Sequence, residues 1–187
     1  MHIQEKKMSK QHYVDNKKFY QAILEYKKNV QEAKEKGLDN PRISNYIGEC
    51  LTKIADKLST KPCFIGYSFR DEMISDGIEN CIEYFDDYDP HKGQNPFAYF
   101  TQIIFYAFLR RINKEEKNRY IIYKNFQNNV ININDISLLT DTDDKNIITA
   151  QIYDNINDFM TKYENKETLK KEKRKTVKEG LMKFYGD

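Results

Sequence analysis

Residues Arg70 to Arg119 read RDEMISDGIENCIEYFDDYDPHKGQNPFAYFTQIIFYAFLRRINKEEKNR. Two helices and a tight turn are legible in this stretch. Over about Phe69 to Asp87, Ile74, Ile78, Cys81, Ile82 and Phe85 recur at helical spacing and predict a buried face. Glu72, Asp76, Glu79, Glu83 and Asp86 fall at steps of four, three, four and three and line the opposite side. Ser68 stands three residues before Asp71, a capping-box-like start. Tyr88-Asp89-Pro90-His91-Lys92-Gly93 is turn chemistry, and Asn95-Pro96 is an N-cap followed by a proline at the first helical position. The next helix is predicted from about Pro96 to Asn118. Phe97, Thr101, Phe105, Phe108 and Ile112 form one stripe, taken as core, and Phe100, Ile103, Ile104 and Ala107 form another. The helix then runs into Arg110, Arg111, Lys114 and Lys117. Two readings fit this double stripe. A helix buried on two sides of an all-α bundle needs it. So does a surface that stacks bases and neutralises phosphates.

Outward from this centre the chain remains helical. Asp15 or Asn16 caps a first helix to about Lys36, with Phe19, Ile23, Tyr26 and Val30 in period and Gly37 as its stop. A second runs from about Pro41 to Leu58 on Ile43, Ile47, Cys50, Leu51, Ile54 and Leu58. The pattern weakens from Tyr120 through an Asn/Asp-rich stretch. A fifth helix is predicted from about Asn146 to Tyr163, using Ile148, Ile152, Ile156, Phe159, Met160 and Tyr163. The expected fold is therefore all-α: a compact bundle with an extra N-terminal helix and a partly disordered C-terminal helix and tail. The expected organisation is a flexible 1–14, a helical domain at 15–125, an acidic connector with one more helix at 126–165, and a basic block with a hydrophobic tail at 166–187.

Composition narrows the function classes. The 187 residues are 32% charged, yet 14 Tyr and 11 Phe are more than a disordered chain carries. Net charge is only +2, but sign is segregated. Asp71 to Asp89 holds eight carboxylates and no cation; Lys166 to Lys178 holds seven cations and two carboxylates. Blocks of opposite sign suit two partners of opposite charge. No apolar run reaches membrane-spanning length, and no apolar secretion signal follows the N-terminus. Cys50, Cys63 and Cys81 contain no CxxC pair and read as reduced thiols of a cytoplasmic protein. No phosphate loop, nucleophile elbow or HExxH motif occurs, and His2, His12 and His91 are scattered. A non-enzyme without cofactor or metal is expected; the Asp86, Asp87, Asp89 and His91 cluster reads as an ordinary acidic helix end.

The order of these pieces resembles region 2 of the bacterial sigma factors. In that family an acidic amphipathic helix is followed by a Phe-Asp turn, a basic-Gly step, an F-x-x-Y-A motif, and an aromatic-rich helix ending in basic residues. Here the counterparts are Glu72-Met73-Ile74-Ser75-Asp76-Gly77-Ile78, Phe85-Asp86 through Lys92-Gly93, Phe97-Ala98-Tyr99-Phe100-Thr101 and Arg110-Arg111. No helix-turn-helix pattern follows. The whole chain is similar to the late-transcription sigma factors of T4-type bacteriophages, which carry a region 2 core, an acidic connector, another helix and a hydrophobic terminal epitope.

That resemblance implies a promoter-specificity subunit acting in the cytoplasm of a bacterial host. Glu72, Asp76, Glu79, Glu83 and Asp86 would bind the coiled coil on the largest subunit of the RNA polymerase core. Phe100, Ile103, Ile104, Ala107, Arg110, Arg111, Lys114 and Lys117 would face a TATA-like −10 element of promoter DNA. Phe100 stands where the family contacts a flipped base, and Ile103-Ile104 where it usually carries two tryptophans. The absence of Trp predicts weak intrinsic melting. Leu181, Met182, Phe184 and Tyr185 would dock on the phage sliding clamp, with a phage co-activator as a further partner; the lysine block before them departs from the more acidic family tail. The alternative is an RNA polymerase adaptor or anti-sigma protein that has lost DNA reading.

Overall fold

The computed structural model describes residues 13–93, 95–132 and 143–184; for 130–132, 143–150 and 178–184 it describes the helical backbone alone. Five helices follow in order: α1 (Asn16–Glu35), α2 (Asn45–Ser59), α3 (Arg70–Glu83), α4 (Pro96–Asn132) and α5 (Asp143–Phe184). The all-α class holds, with no strand among the described residues. No described helix is long and apolar enough to cross a membrane. Two compact units divide the chain after Ile112. The continuous helix α4 contributes to both.

The first unit is built on α1, α2, α3 and the first part of α4. Asp15 caps α1 as expected, its carboxylate accepting from the Lys17 and Lys18 N–H groups at 3.0 and 3.2 Å. Gly37 ends that helix with φ +65°, while the Leu38 N–H returns to the Ala33 carbonyl at 2.9 Å. Helix α2 starts later than its apolar period suggests. Ser44, not Pro41, caps it, because its Oγ accepts from the Ile47 N–H at 3.4 Å. Helix α3 has no side-chain cap; Phe69 occupies that position, and the expected role of Ser68 is not seen. Its first turn is instead anchored through Arg70, whose Nε donates to Ser59 Oγ at 2.9 Å beside Asp56 at 3.6 Å. The N-terminal residues 1–12 lie outside the described residues, but Val14 is buried and Tyr13 meets the Phe97 ring edge-on at 5.7 Å.

The core of this unit is aromatic. Phe19, Phe64, Phe85, Phe100 and Phe108 are all sealed from solvent. Its closest approach is at Gly77 of α3. A Cβ there would stand 3.0 Å from Ile104 Cγ2 and 3.1 Å from Phe108 Cε1. Only the missing side chain lets α3 and α4 sit this close. The buried positions of α3 are Met73, Gly77 and Cys81; Ile74 and Ile78 are half-buried and Ile82 is 53% exposed. Of the predicted face, Cys81 and Phe85 are buried and Ile74 and Ile78 pack half-buried against the core, while Ile82 turns outward and Met73 and Gly77 take buried places that were not predicted.

The second unit is an antiparallel pair formed by the later part of α4 and α5. Tyr120 stacks on Tyr163 at 4.7 Å, Tyr123 meets Phe159 edge-on at 5.4 Å, and Phe126 lies 5.9 Å from Tyr153. Ile156 and Met160 are buried along the same seam. Lys166 pairs with Glu116, and Gln127 donates to Asn157 at 2.6 Å, so the two rows run in opposite directions. Both helices outrun their predicted ends at Asn118 and Tyr163. Tyr120, Tyr123 and Phe126 alternate three apart, a seam too sparse to stand out in single-chain periodicity. The lysine block at 166–178, expected as a separate segment, continues α5.

Candidate functional site

Two surfaces of the first unit carry chemistry. One lies between α2 and α3. Ile43, Gly48 and Leu51 line it from the α2 side, and Ile78 and Ile82 from α3. Along α3 it continues over Ser75, Glu79 and Glu83. Glu49, Glu72, Glu79 and Glu83 are exposed, and Glu72, Glu79 and Glu83 have no ion pair among the described residues. Ile82, 53% open to water, lies beside half-buried Ile78 with Glu79 and Glu83 along the same pocket. Its chemistry matches an amphipathic helix with an apolar stripe flanked by Lys or Arg.

Of the five acidic residues predicted for this role, Glu72, Glu79 and Glu83 are exposed and available. Asp76 is not. Its two oxygens accept from Arg111 Nε at 2.6 Å and NH2 at 2.7 Å, a bidentate pair with both side chains mostly covered. This corrects two expectations at once: Asp76 does not face a partner, and Arg111 is not free for phosphate. Asp76 is the immediate neighbour of Gly77, where α3 comes against Ile104 and Phe108 of α4. Asp86 is exposed, but it sits past the end of α3 in the connecting turn.

That turn is heavily tied. Lys27 Nζ donates to the Asp86 carbonyl at 3.0 Å and to the Tyr88 carbonyl, the Tyr88 hydroxyl donates to the Gly93 carbonyl, and Tyr20 OH donates to the Pro90 carbonyl at 3.2 Å. The His91 N–H, at 2.9 Å, and then Lys92 hold the Asp89 carboxyl below its ordinary range. A cation from α1 therefore fixes the end of the acidic helix through backbone carbonyls, which sequence spacing does not reveal.

The second surface is the outer side of α4. Here the nucleic-acid prediction needs its main correction. Phe100 and Ile104 are fully buried and Ala107 is 2% exposed. Phe100 stacks on Phe85 at 5.4 Å, meets Tyr99 edge-on at 5.1 Å and Phe19 at 5.7 Å. No nucleotide reaches these three residues. Ile103 is half-buried, whereas Phe105, assigned to the core stripe, is 37% exposed. The buried face of α4 draws on both predicted stripes, taking Phe108 and Ile112 from the first and Phe100, Ile104 and Ala107 from the second. The next row, Tyr99, Ile103, Tyr106 and Arg110 at steps of four, three and four, has Tyr99 and Ile103 half-buried against the core and Tyr106 and Arg110 exposed. Tyr106 is 51% exposed, and the Arg110 guanidinium donates to the Asn80 side chain. Tyr99 and Tyr106 were missed. Their polar tips and amphipathic rings were the available signal.

Lys114 and Lys117 belong to the second unit and are exposed; Arg119 there lies over the Phe159 ring at 5.5 Å. The predicted clamp epitope lies outside the residues whose side chains are described: Leu181, Met182 and Phe184 fall in the backbone-only end of α5, and Tyr185 beyond it. Neither protein-family models nor curated proteins match this chain.

Proposed function

We propose that the protein is a sigma-like specificity subunit: it docks on the RNA polymerase core through the α2–α3 groove and directs it to AT-rich, TATA-like −10 elements of late promoters. The observation that carries this proposal is the groove itself. Ile78 and Ile82 supply an apolar strip, Glu79 and Glu83 supply a carboxylate border, and Glu72 is exposed further toward the start of α3. A basic coiled-coil helix of the largest polymerase subunit is the partner for which such a border gives steering and register. The resemblance of Arg70–Arg119 to sigma region 2 assigns the same helix to the same partner.

In this proposal DNA meets α4 through the row Tyr99, Ile103, Tyr106 and Arg110, not through Phe100, Ile104 and Ala107. Tyr106 offers one stacking plane, worth about 1–3 kcal/mol per base. Arg110 supplies the adjacent charge. With a single well-exposed ring and no indole, strand separation depends on help. The sliding clamp, engaged by Leu181, Met182, Phe184 and Tyr185, supplies it by raising the local concentration of polymerase at promoters. A phage co-activator and the cytoplasm of a bacterial host belong to the same proposal.

The sealing of Phe100, Ile104 and Ala107 favours a second reading, an RNA polymerase adaptor or anti-sigma protein without promoter contacts. Run-off transcription separates the two. Purified host core polymerase, a TATA-like late promoter and the protein are combined, with Tyr106→Ala and Arg110→Ala as probes. Specific transcripts that both substitutions reduce at least tenfold support the specificity subunit. Polymerase binding with no −10-dependent transcript supports the adaptor.

A further inference from the structure

The lysine block is a bare helix. From Lys171 to Val177 every residue of α5 is exposed. Lys166 is occupied by Glu116, and Lys170 by Glu167 at 2.7 Å. Lys171, Lys173, Arg174 and Lys175 have no ion pair among the described residues. At about 100° per residue, the cations from Lys170 to Lys175 cover roughly 200° of the helix circumference. Thr168, Glu172 and Thr176 fall in the remaining sector.

We propose that this length of α5 is a sequence-independent arm for duplex DNA, separate from the α4 surface and independent of polymerase. The breadth of the charged arc decides the class of partner. A protein helix addresses one stripe of roughly 100° and buries apolar side chains in it. Here the charge spreads over about twice that arc, and only Leu169 and Val177 are large and apolar. A helix lying in the major groove has a phosphate rail on either side, and the groove, about 12 Å wide, admits it. The eight residues 170–177 span about 12 Å, over which duplex DNA carries about seven phosphates. Between Lys166 and Lys178 no aromatic residue stands. The arm therefore has nothing with which to stack single-stranded bases. Four of its five cations are lysines, compact point charges that follow phosphates without the planar fork that reads guanine.

The test is fluorescence anisotropy with the full-length protein and a labelled 20-base-pair duplex containing no TATA-like element, titrated between 50 and 200 mM NaCl. The variant carries Lys171→Gln, Lys173→Gln, Arg174→Gln and Lys175→Gln, substitutions that keep helix propensity. The expected result is a slope of log K against log salt smaller by about 3–4 than that of the parent, since each phosphate contact contributes about 0.9. Circular dichroism should be unchanged, and a second variant with Lys→Arg at 171, 173 and 175 should keep the parental slope. An unaltered slope in the glutamine variant overturns the proposal. So does glutamine-sensitive binding that is tighter to phosphatidylserine vesicles, or to a single-stranded oligonucleotide of equal length, than to the duplex.

Discussion

Truncating Phe100 to alanine separates a core aromatic from a DNA-reading one. The ring is completely covered and packs on Phe19, Phe85, Tyr88 and Tyr99 at centroid distances of 5.1–5.8 Å. Removing a buried Phe side chain costs about 3–5 kcal/mol when the cavity cannot collapse. Collapse is hindered here because the surrounding rings are themselves locked. Phe85 is held edge-on by Tyr26 at 5.3 Å, and Tyr88 is tethered through its hydroxyl to Gly93. Domain stabilities are about 5–15 kcal/mol, so the variant should sit near the edge of folding. With a urea slope of about 2 kcal/mol/M, the midpoint should fall by roughly 2 M. Tyr106→Ala, at a ring 51% exposed, should stay within about 0.5 kcal/mol of the parent. Urea denaturation followed by circular dichroism measures both. A Phe100→Ala protein of parental stability that has lost promoter DNA binding would refute the burial argument and return Phe100 to the DNA surface.

Three further predictions concern the same unit. Asp76→Ala should cost about 1.5–3 kcal/mol, because it leaves the partly buried Arg111 guanidinium without its bidentate acceptor, and Arg111→Ala added to it should cost little more; a double-mutant cycle by urea denaturation reads the coupling. Gly77→Val should destabilise by at least about 2 kcal/mol, since even a Cβ already meets Ile104 and Phe108 at 3.0 and 3.1 Å, and Ile104→Ala in the same chain should recover part of the loss in thermal unfolding. Burial pushes the Cys81 thiol up to about 12 from an ordinary value near 9, so its contribution to stability is complete below pH 9 and is lost as pH rises toward 12. The parent should therefore lose more stability than Cys81→Ala between pH 8 and pH 10.5, and at pH 8 iodoacetamide should label exposed Cys63 while leaving buried Cys50 and Cys81 unmodified.

The helices were largely legible because each carries local signals. Asp15 before α1 and Asn95-Pro96 before α4 are caps whose chemistry is written within four residues. Rotation about the helix axis was not legible at α3 and α4. Both carry apolar residues on more than one side, and the choice between sides is made by packing against residues distant in sequence, as at Gly77 against Ile104 and Phe108. Asp76 and Arg111, predicted for two separate binding surfaces, pair with each other across the same two helices. Glu72, Glu79 and Glu83 are exposed, as their place opposite the apolar residues of α3 suggests. The lengths of α4 and α5 were hidden for another reason. Their seam uses Tyr120, Tyr123, Tyr163 and Phe159 among charged residues, so each helix looks polar until its partner is beside it. The hydrogen bonds from Lys27 to the carbonyls of Asp86 and Tyr88 join residues about sixty apart and leave no trace in spacing.

The groove between α2 and α3 is tested most directly by titrating RNA polymerase core with the labelled protein and with its Glu79→Lys, Glu83→Lys double variant. Both positions are exposed and unpaired among the described residues, so folding should be untouched, and parental circular dichroism and urea midpoint verify this. If the groove docks a basic helix as proposed, reversing these two charges should weaken binding at least tenfold and flatten its dependence on salt. Equal affinity of the two proteins for the core enzyme would contradict a polymerase-docking role for this surface.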